Sequence, residues 1–308
     1  MIIKRNIPIY NISWLNHAKG GVIGVFYEPE TKDELVDLCR SLYNEGKKFD
    51  LVGHTSNIYF LPNYSVDIMV STRRVKEVEY QDNLIIADCG ANVKALARAM
   101  VNEGIKGFEG LIDLPGTVAA SVYGNASCYD CSINNMLVSF ELLKENGDII
   151  KLKPEDLKLI KRSSALKRGE LRGVIISVTL RKEFGDAEQI RALADKNHAT
   201  RTKKQPGSKD NLGSIYSESK CLSFLGVVFH IIAKSVNLLL KPVKQISTTK
   251  IILYIMGYKE LIPYLWGWNR FIWKDEESHK LFWKYHQIHK KLFLDNEFEI
   301  EIKGNYVY

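Results

Sequence analysis

Residues 1–200 predict an α+β or α/β fold, and three observations carry that reading. Short β-branched runs recur, helical periodicity alternates with them, and turn residues separate the two. Residues 201–308 change character: a polar, turn-rich opening (RTKKQPGSKDNLG) gives way to apolar, helix-rich sequence.

The elements follow in chain order. Val22–Tyr27 reads as a strand. Thr31-Lys-Asp-Glu34 is a capping box that opens a helix. Leu35, Leu38, Cys39 and Leu42 share one face of it, and Gly46 lies past its end. Phe49–Val52, Asp67–Val70 and Leu84–Cys89 are further strands. Asn92 caps a helix that ends near Gly104. Leu137–Lys144 and Asp148–Leu152 flank an Asn146-Gly147 turn and form a hairpin. Val174–Leu180 is a strand and Asp186–Ala199 a helix. Two apolar runs follow, Cys221–Leu240 and Ile251–Trp266, then a helix over Glu276–Leu292 and an alternating strand, Glu297–Ile302.

Composition narrows the class. A chain of 308 residues has room for two domains or three small ones. Hydrophobic content of 45% with 26% charged residues excludes disorder and suits a soluble globular protein. A net charge of +7 favours an anionic ligand but is too mild, and too scattered, for nucleic acid. The N-terminal MIIKRNIPIYNISW lacks the apolar run of a signal peptide. Five cysteines without disulfide-scaffold spacing point to a reducing, cytoplasmic setting. Cys128-Tyr-Asp-Cys131 reads as two incidental thiols, with a dithiol redox relay the alternative, and no second pair completes a metal site. The run 221–240 approaches the length of a membrane span, but His230, Lys234, Ser235 and Asn237 interrupt it. It therefore reads as a buried or partner-binding helix, or as a surface contact with a membrane.

Two loops carry the chemistry. Leu51-Val-Gly-His-Thr-Ser-Asn57 is a strand running into a small polar turn, where successive main-chain N–H groups can nest an anion. Residues 110–126 (GLIDLPGTVAASVYGNA) join a Pro-Gly turn to a run of small residues. Pro115 fixes φ, and Gly116 leaves its backbone bare. Such a segment admits a flat ligand against main chain, or a tight helix–helix contact. The pair suggests a dinucleotide held between them, and the absence of G-x-G-x-x-G argues against a Rossmann site. Three further segments stand out: Ile160-Lys-Arg-Ser-Ser-Ala-Leu-Lys167, Leu212-Gly-Ser-Ile-Tyr216 with the preceding Gln205-Pro-Gly-Ser, and a terminal strand with Glu297, Glu299 and Glu301 on one face.

In this order, the segments resemble the UDP-N-acetylenolpyruvoylglucosamine reductase (UDP-N-acetylmuramate dehydrogenase) family. Gly53–Asn57 is similar to its G-x-G-S-N loop, and Pro115–Asp130 to its P-G-T-V-G-G-A-V-x-x-N-A-G-A-Y-G segment. Lys161–Lys167 is similar to Y-R-x-S-x-x-K, Arg201–Ser219 to R-x-x-x-Q-P…G-S-V-F-K-N-P, and Leu294–Phe298 to L-x-x-E-V. The resemblance implies an α+β chain. A two-lobed FAD-binding domain of the vanillyl-alcohol-oxidase type (lobes 1–75 and 76–200) would precede a divergent, helix-rich α/β substrate or cap domain, 201–308. It implies FAD as cofactor, NADPH as reductant, and an enolpyruvyl sugar nucleotide or related glycan precursor as substrate. It places FAD on Gly53, His54, Thr55, Ser56, Asn57, Pro115, Gly116, Thr117, Ala120, Asn125 and Ala126. Arg162 would polarise the substrate carboxylate, Ser214 would donate the proton, and Glu297 would complete the site, with Glu299 next if the strand shifts by one pleat.

The sequence departs from the pattern in several places. His54 and Thr55 stand where the family has glycines, Ala119-Ala120 replace Gly-Gly, and Lys161 replaces a tyrosine. His54 reads as a hydrogen-bonding or packing histidine, with covalent flavin attachment the alternative. Ser217-Glu218-Ser219 replaces Lys-Asn-Pro, and Glu218 would repel a diphosphate unless it points away. A flavin oxidase or dehydrogenase of another sugar or lipid-linked sugar, and a non-catalytic flavin-binding accessory protein, are the alternative readings. Residues 221–266 would touch a membrane surface or a protein partner.

Overall fold

Seen in a computed structural model, the chain divides into two units. The structure describes residues 1–17, 20–204, 210–218, 220–240 and 247–304. Gln205-Pro-Gly-Ser, Ser219 and residues 241–246, all singled out by the sequence, lie outside these. The first unit comprises Met1–Asn11, Gly21–Ser56 and Ser65–Lys204; the second comprises Ile12–Gly20, Asn57–Tyr64 and Gln205–Tyr308.

Two sheets build the first unit. The first contains β1 (Ile2–Pro8), β2 (Val22–Glu28), β3 (Asp50–Val52) and, after β4 (Ile58–Phe60) of the other unit, β5 (Val66–Ser71), in the order β1-β2-β5-β3. β1 is antiparallel to β2, and β5 is parallel to both β2 and β3. Helix α1 (Lys32–Asn44) makes the crossover that parallel strands require. Its start matches the capping signal: Thr31 Oγ1 accepts from the Glu34 N–H at 3.2 Å. The Glu34 carboxylate turns back to the N–H of Glu30 at 2.8 Å.

The second sheet is antiparallel throughout, in the order β11-β10-β12-β7-β6. Its strands are β6 (Val78–Tyr80), β7 (Leu84–Asp88), β10 (Leu137–Leu143), β11 (Ile149–Leu152) and β12 (Val174–Arg181). Between β7 and β10 lie α2 (Val93–Asn102), the short α3 (Val118–Tyr123) and a small hairpin, β8 (Ser127–Cys128) with β9 (Cys131–Ser132). Helix α4 (Ala187–Lys204) ends the unit. The apolar face of α1 packs Leu35, Leu38, Cys39 and Leu42 against Val70 of the first sheet and Leu143, Val174 and Ile176 of the second. One helix thus cements both sheets by burying apolar surface on each.

The second unit contains α5 (Phe224–Leu240), α6 (Thr248–Ile255), α7 (Ser278–Leu292) and β13 (Glu301–Lys303), which pairs in parallel with β4. Its core is aromatic: Tyr59, Tyr216, Phe271, Trp273, Phe282 and Tyr285 are fully buried. Two expectations need correction here. Residues 297–302 do not form one strand; Phe298 bridges Tyr216 in isolation, and regular pairing begins only at Glu301. The apolar run 251–266, for which helical periodicity is plausible, is helical only in part. Gly257 at φ +81° stops α6, and Pro263 sits in a following 3₁₀ turn.

Candidate flavin site

In the first unit, the two bare loops meet. A Cβ built on Gly53 would lie 2.8 Å from Thr117 Oγ1, and one on Gly116 would lie 3.6 Å from Ser56 Oγ. Each loop therefore presents a glycine to the other's hydroxyl. Thr117 helps to hold this arrangement through its side chain and carbonyl. Its side chain caps α3 by accepting from Ala120 N at 3.3 Å, and its backbone bridges Asn92. Among the described residues, the main-chain N–H groups of Gly53, His54, Ser56, Gly116 and Thr117 donate to no protein acceptor. Unspent donors at a converging turn are what a pyrophosphate needs.

Thr55 gives independent support. Its φ is +55°, and it is buried. A β-branched residue in the left-handed region costs about 1–2 kcal/mol, so the fold holds this loop in a glycine-like shape although glycine is gone. His54 is half-buried, and burial, reinforced by the Arg73 charge, lowers its pKa. The ring is therefore neutral at neutral pH. Arg73 is itself held by buried Glu28 at 2.6 Å, with Lys4 on the same carboxylate at 3.0 Å. Burial pushes Glu28 up, but the hydrogen bonds from Lys4 and Arg73 outweigh it and hold the carboxyl below its ordinary range. Arg73 was not singled out by sequence, because its link to His54 is long-range.

Asn57 falls in the second unit, where its amide donates to the Glu299 carbonyl at 3.1 Å. Pro115 is half-buried, Ala120 is exposed on α3, and Ala126 donates its N–H to Ser121 O at 2.9 Å. Asn125 adopts φ +45°, donates to Ile160 O at 2.8 Å and accepts from the Asn134 amide at 3.0 Å. That bond ties the small-residue segment to the turn carrying Arg162.

Arg162 sits at φ +57° in a turn closed by the Ile160–Ser163 bridge. Its guanidinium donates to Ser127 O at 3.0 Å, and Lys167 Nζ donates to the Arg162 carbonyl at 3.2 Å. Ser164, the motif's second serine, is fully buried and donates to Tyr123 O at 2.6 Å. Arg201, from α4, reaches Cys128 Sγ at 3.6 Å. The two thiols face each other across the β8–β9 hairpin, whose turn residues Tyr129 and Asp130 both have positive φ. Burial raises both thiol pKa values, so neither is a ready thiolate.

The remaining predicted residues lie in the second unit. Gly213 at φ +81° turns the chain into Ser214–Ser217. Asn269, which sequence reasoning passed over, clamps this stretch: its Oδ1 accepts from Tyr216 N at 2.7 Å, and its Nδ2 donates to Tyr216 O at 2.9 Å. On the other side, Glu299 N donates to Ile215 O at 2.8 Å and Ser217 N donates to Glu297 O at 2.9 Å. Tyr216 is anchored between the rings of His289, 3.8 Å away, and Phe298, 5.3 Å away. Main chain directly after Ser214 is thus held from two directions, while the half-buried Ser214 hydroxyl has no hydrogen bond among the described residues. Glu297 is exposed; Glu299 is half-buried and hydrogen-bonded directly beside Ser214.

A paired substitution checks the loop geometry. Gly53→Ala is expected to force Thr117 aside, at an overpacking cost of about 1–3 kcal/mol, and to weaken FAD binding about tenfold or more. Thr55→Gly, which relieves a strained backbone, is expected to retain FAD. Flavin titration of both variants decides; equal affinity in Gly53→Ala and parent would remove this loop from the site.

Comparison with known proteins points to the same cofactor. Residues 23–153 match a family described as an FAD binding domain. The UDP-N-acetylenolpyruvoylglucosamine reductase of Fusobacterium nucleatum is 30% identical over 220 residues, covering 70% of this chain and 74% of that protein. The enzyme of the same name from Caldicellulosiruptor saccharolyticus is 29% identical over 227 residues, covering 70% and 73%. The crystal structure of the Thermus caldophilus reductase covers 98% of this chain with a TM-score of 0.66 at 18% identity, a likeness of fold. The chain therefore belongs to the UDP-N-acetylenolpyruvoylglucosamine reductase family, as a divergent FAD-dependent oxidoreductase.

Proposed function

We propose that this chain reduces the enolpyruvyl ether of a sugar nucleotide in the cytoplasm, with NADPH as electron source. Residues 1–75 and 76–200 would supply the two lobes around FAD, and 201–308 the substrate side. The observation that carries the reading is the convergence of Gly53–Ser56 with Pro115–Thr117 around unspent N–H donors.

When bound, FAD supplies the hydride chemistry, and the protein supplies charge and a proton. Reduction of the vinyl group adds hydride to one carbon and leaves carbanion character on the carbon beside the carboxylate. Arg162 would draw that charge onto the carboxylate, a task for a fixed guanidinium. The Ser214 hydroxyl would deliver the proton to the same carbon. A carboxylate would orient the serine, and Glu299 fits this role at least as well as Glu297, because its backbone is bonded to the residue next to Ser214.

The test is spectroscopic. The purified protein is expected to be yellow, to bleach with NADPH under anaerobic conditions, and to recover its oxidised spectrum when UDP-N-acetylglucosamine enolpyruvate is added. Bleaching without recovery would transfer the assignment to another sugar or a lipid-linked sugar. The replacement of a family lysine by Ser217 and the apolar 221–266 stretch favour that second reading. A protein that binds flavin but resists every reductant would be an accessory subunit.

A further inference from the structure

Helix α5 is turned inside out. Its small residues face the fold: Ala233 is fully buried, and a Cβ on Gly226 would lie 2.0 Å from the Leu292 carbonyl. Its large apolar residues face outward, with Phe224 87%, Leu238 72% and Leu239 80% exposed. Leu225, Ile231 and Ile232 are exposed with them. At 3.6 residues per turn, these six span an arc of about 140°. An apolar face of this size is costly in water. No helix among the described residues is long and apolar enough to cross a membrane.

Charge identifies what covers this face. Residues 219–259 contain six lysines (Lys220, Lys234, Lys241, Lys244, Lys250 and Lys259) and no Asp or Glu. A protein partner or second copy would need only the apolar face; a segment with cationic and no anionic side chains adds a requirement for a negative surface. We propose that α5 lies in the interface of an anionic bilayer, with its outward aliphatic face in the acyl boundary and the exposed lysines among the described residues, Lys220, Lys234, Lys250 and Lys259, on the headgroups. This rests on the second unit alone and is independent of the flavin chemistry.

Full-length protein is sedimented with vesicles of phosphatidylcholine alone or with about one third phosphatidylglycerol. Binding to the anionic vesicles is expected to be about tenfold stronger or more, and to weaken in high salt. Ile231→Asp with Leu238→Asp, both on the exposed face, should abolish binding while flavin content and tryptophan fluorescence stay at parent values. Phe184→Asp, an equally exposed apolar position in the first unit, should change nothing. Three results overturn the proposal: no binding, equal binding to neutral vesicles, or a dimer in solution that the α5 double substitution dissociates.

Discussion

Ser214→Ala is expected to lower kcat about 10²–10⁴-fold, the usual worth of a positioned acid, and to leave FAD content and reduction by NADPH at parent levels. Three features set this apart from a general loss of structure. The main chain directly after Ser214, Ile215–Ser217, is held by Asn269 and by the 297–299 segment, and the Ser214 side chain bonds to nothing among the described residues. Deleting the hydroxyl therefore removes chemistry without removing a support. The flanking carboxylates separate by the same assay. Glu299→Gln should approach the serine variant in severity, whereas Glu297→Gln, at an exposed position, should retain most activity. Parent-like turnover in Ser214→Ala would take the serine out of the reaction, and the reverse order for the two glutamates would restore Glu297 to it.

The second large effect is a loss of stability in acid. His286 and His289 lie on α7 with relative exposures of 4% and 0%, and burial pulls each pKa down to about 4. Burial explains why His289 resists charge, against the opposing pull of its bond to Asn296. Its Nδ1 donates to Asn296 Oδ1 at 2.8 Å, which leaves Nε2 as a buried acceptor with no partner. A proton added there would form an unpaired N–H inside an aromatic stack. His286 Nδ1 is paired with the Tyr216 hydroxyl at 2.9 Å. Both folded-state values lie below the unfolded 6.5, so the stabilisation is complete above about pH 6.5 and disappears as pH falls towards about 4. The loss amounts to roughly 2–3 kcal/mol per histidine. All five tryptophans (Trp14, Trp266, Trp268, Trp273 and Trp283) belong to the second unit, so intrinsic fluorescence reports it selectively. Urea midpoints read by fluorescence should drop steeply between pH 6.5 and 4 and remain level from 6.5 to 8. A flat profile across the acid range would contradict buried neutral imidazoles.

Local signals explain which parts of this molecule could be read from its residues. Thr31 and Asn92 announced their helices because a cap is a property of four consecutive residues, and both side chains accept the expected N–H. The Asn146-Gly147 hairpin was legible for the same reason, with Gly147 at φ +87°. The β8–β9 hairpin went unread because Tyr129-Asp130 adopts positive φ without the glycine or asparagine that signals such a turn. The strand expected at 297–302 failed differently. Alternation predicts a pleat, but here the partner segment, Tyr216, offers only one bridge before the pairing shifts to β4.

The site followed the same division. Its loops were visible, since small residues are needed wherever main chain meets a ligand. Their contact, Gly53 on Thr117, was not, because it links residues far apart in the chain. Asn269 and Arg73 carry no motif and act on backbone or charge brought near only by folding. Residues 221–265 resembled nothing in the family pattern, and the aromatic stretch 266–283 that follows resembled it only weakly. The service of 266–283 to the site is indirect: its Asn269 clamps the main chain of Tyr216, two residues after the serine.

The parallel pairing of β4 with β13 joins Ile58–Phe60 to Glu301–Lys303, partners far apart in the sequence. During synthesis, the amino-terminal strand of that pair leaves the ribosome long before its mate exists. Tyr59, fully buried in the finished protein, must wait uncovered through the translation of more than two hundred codons. Contacts of such separation close late and slowly. A newly made chain therefore passes through a stage with an open edge and an uncovered aromatic cluster, when chaperones and aggregation compete for it.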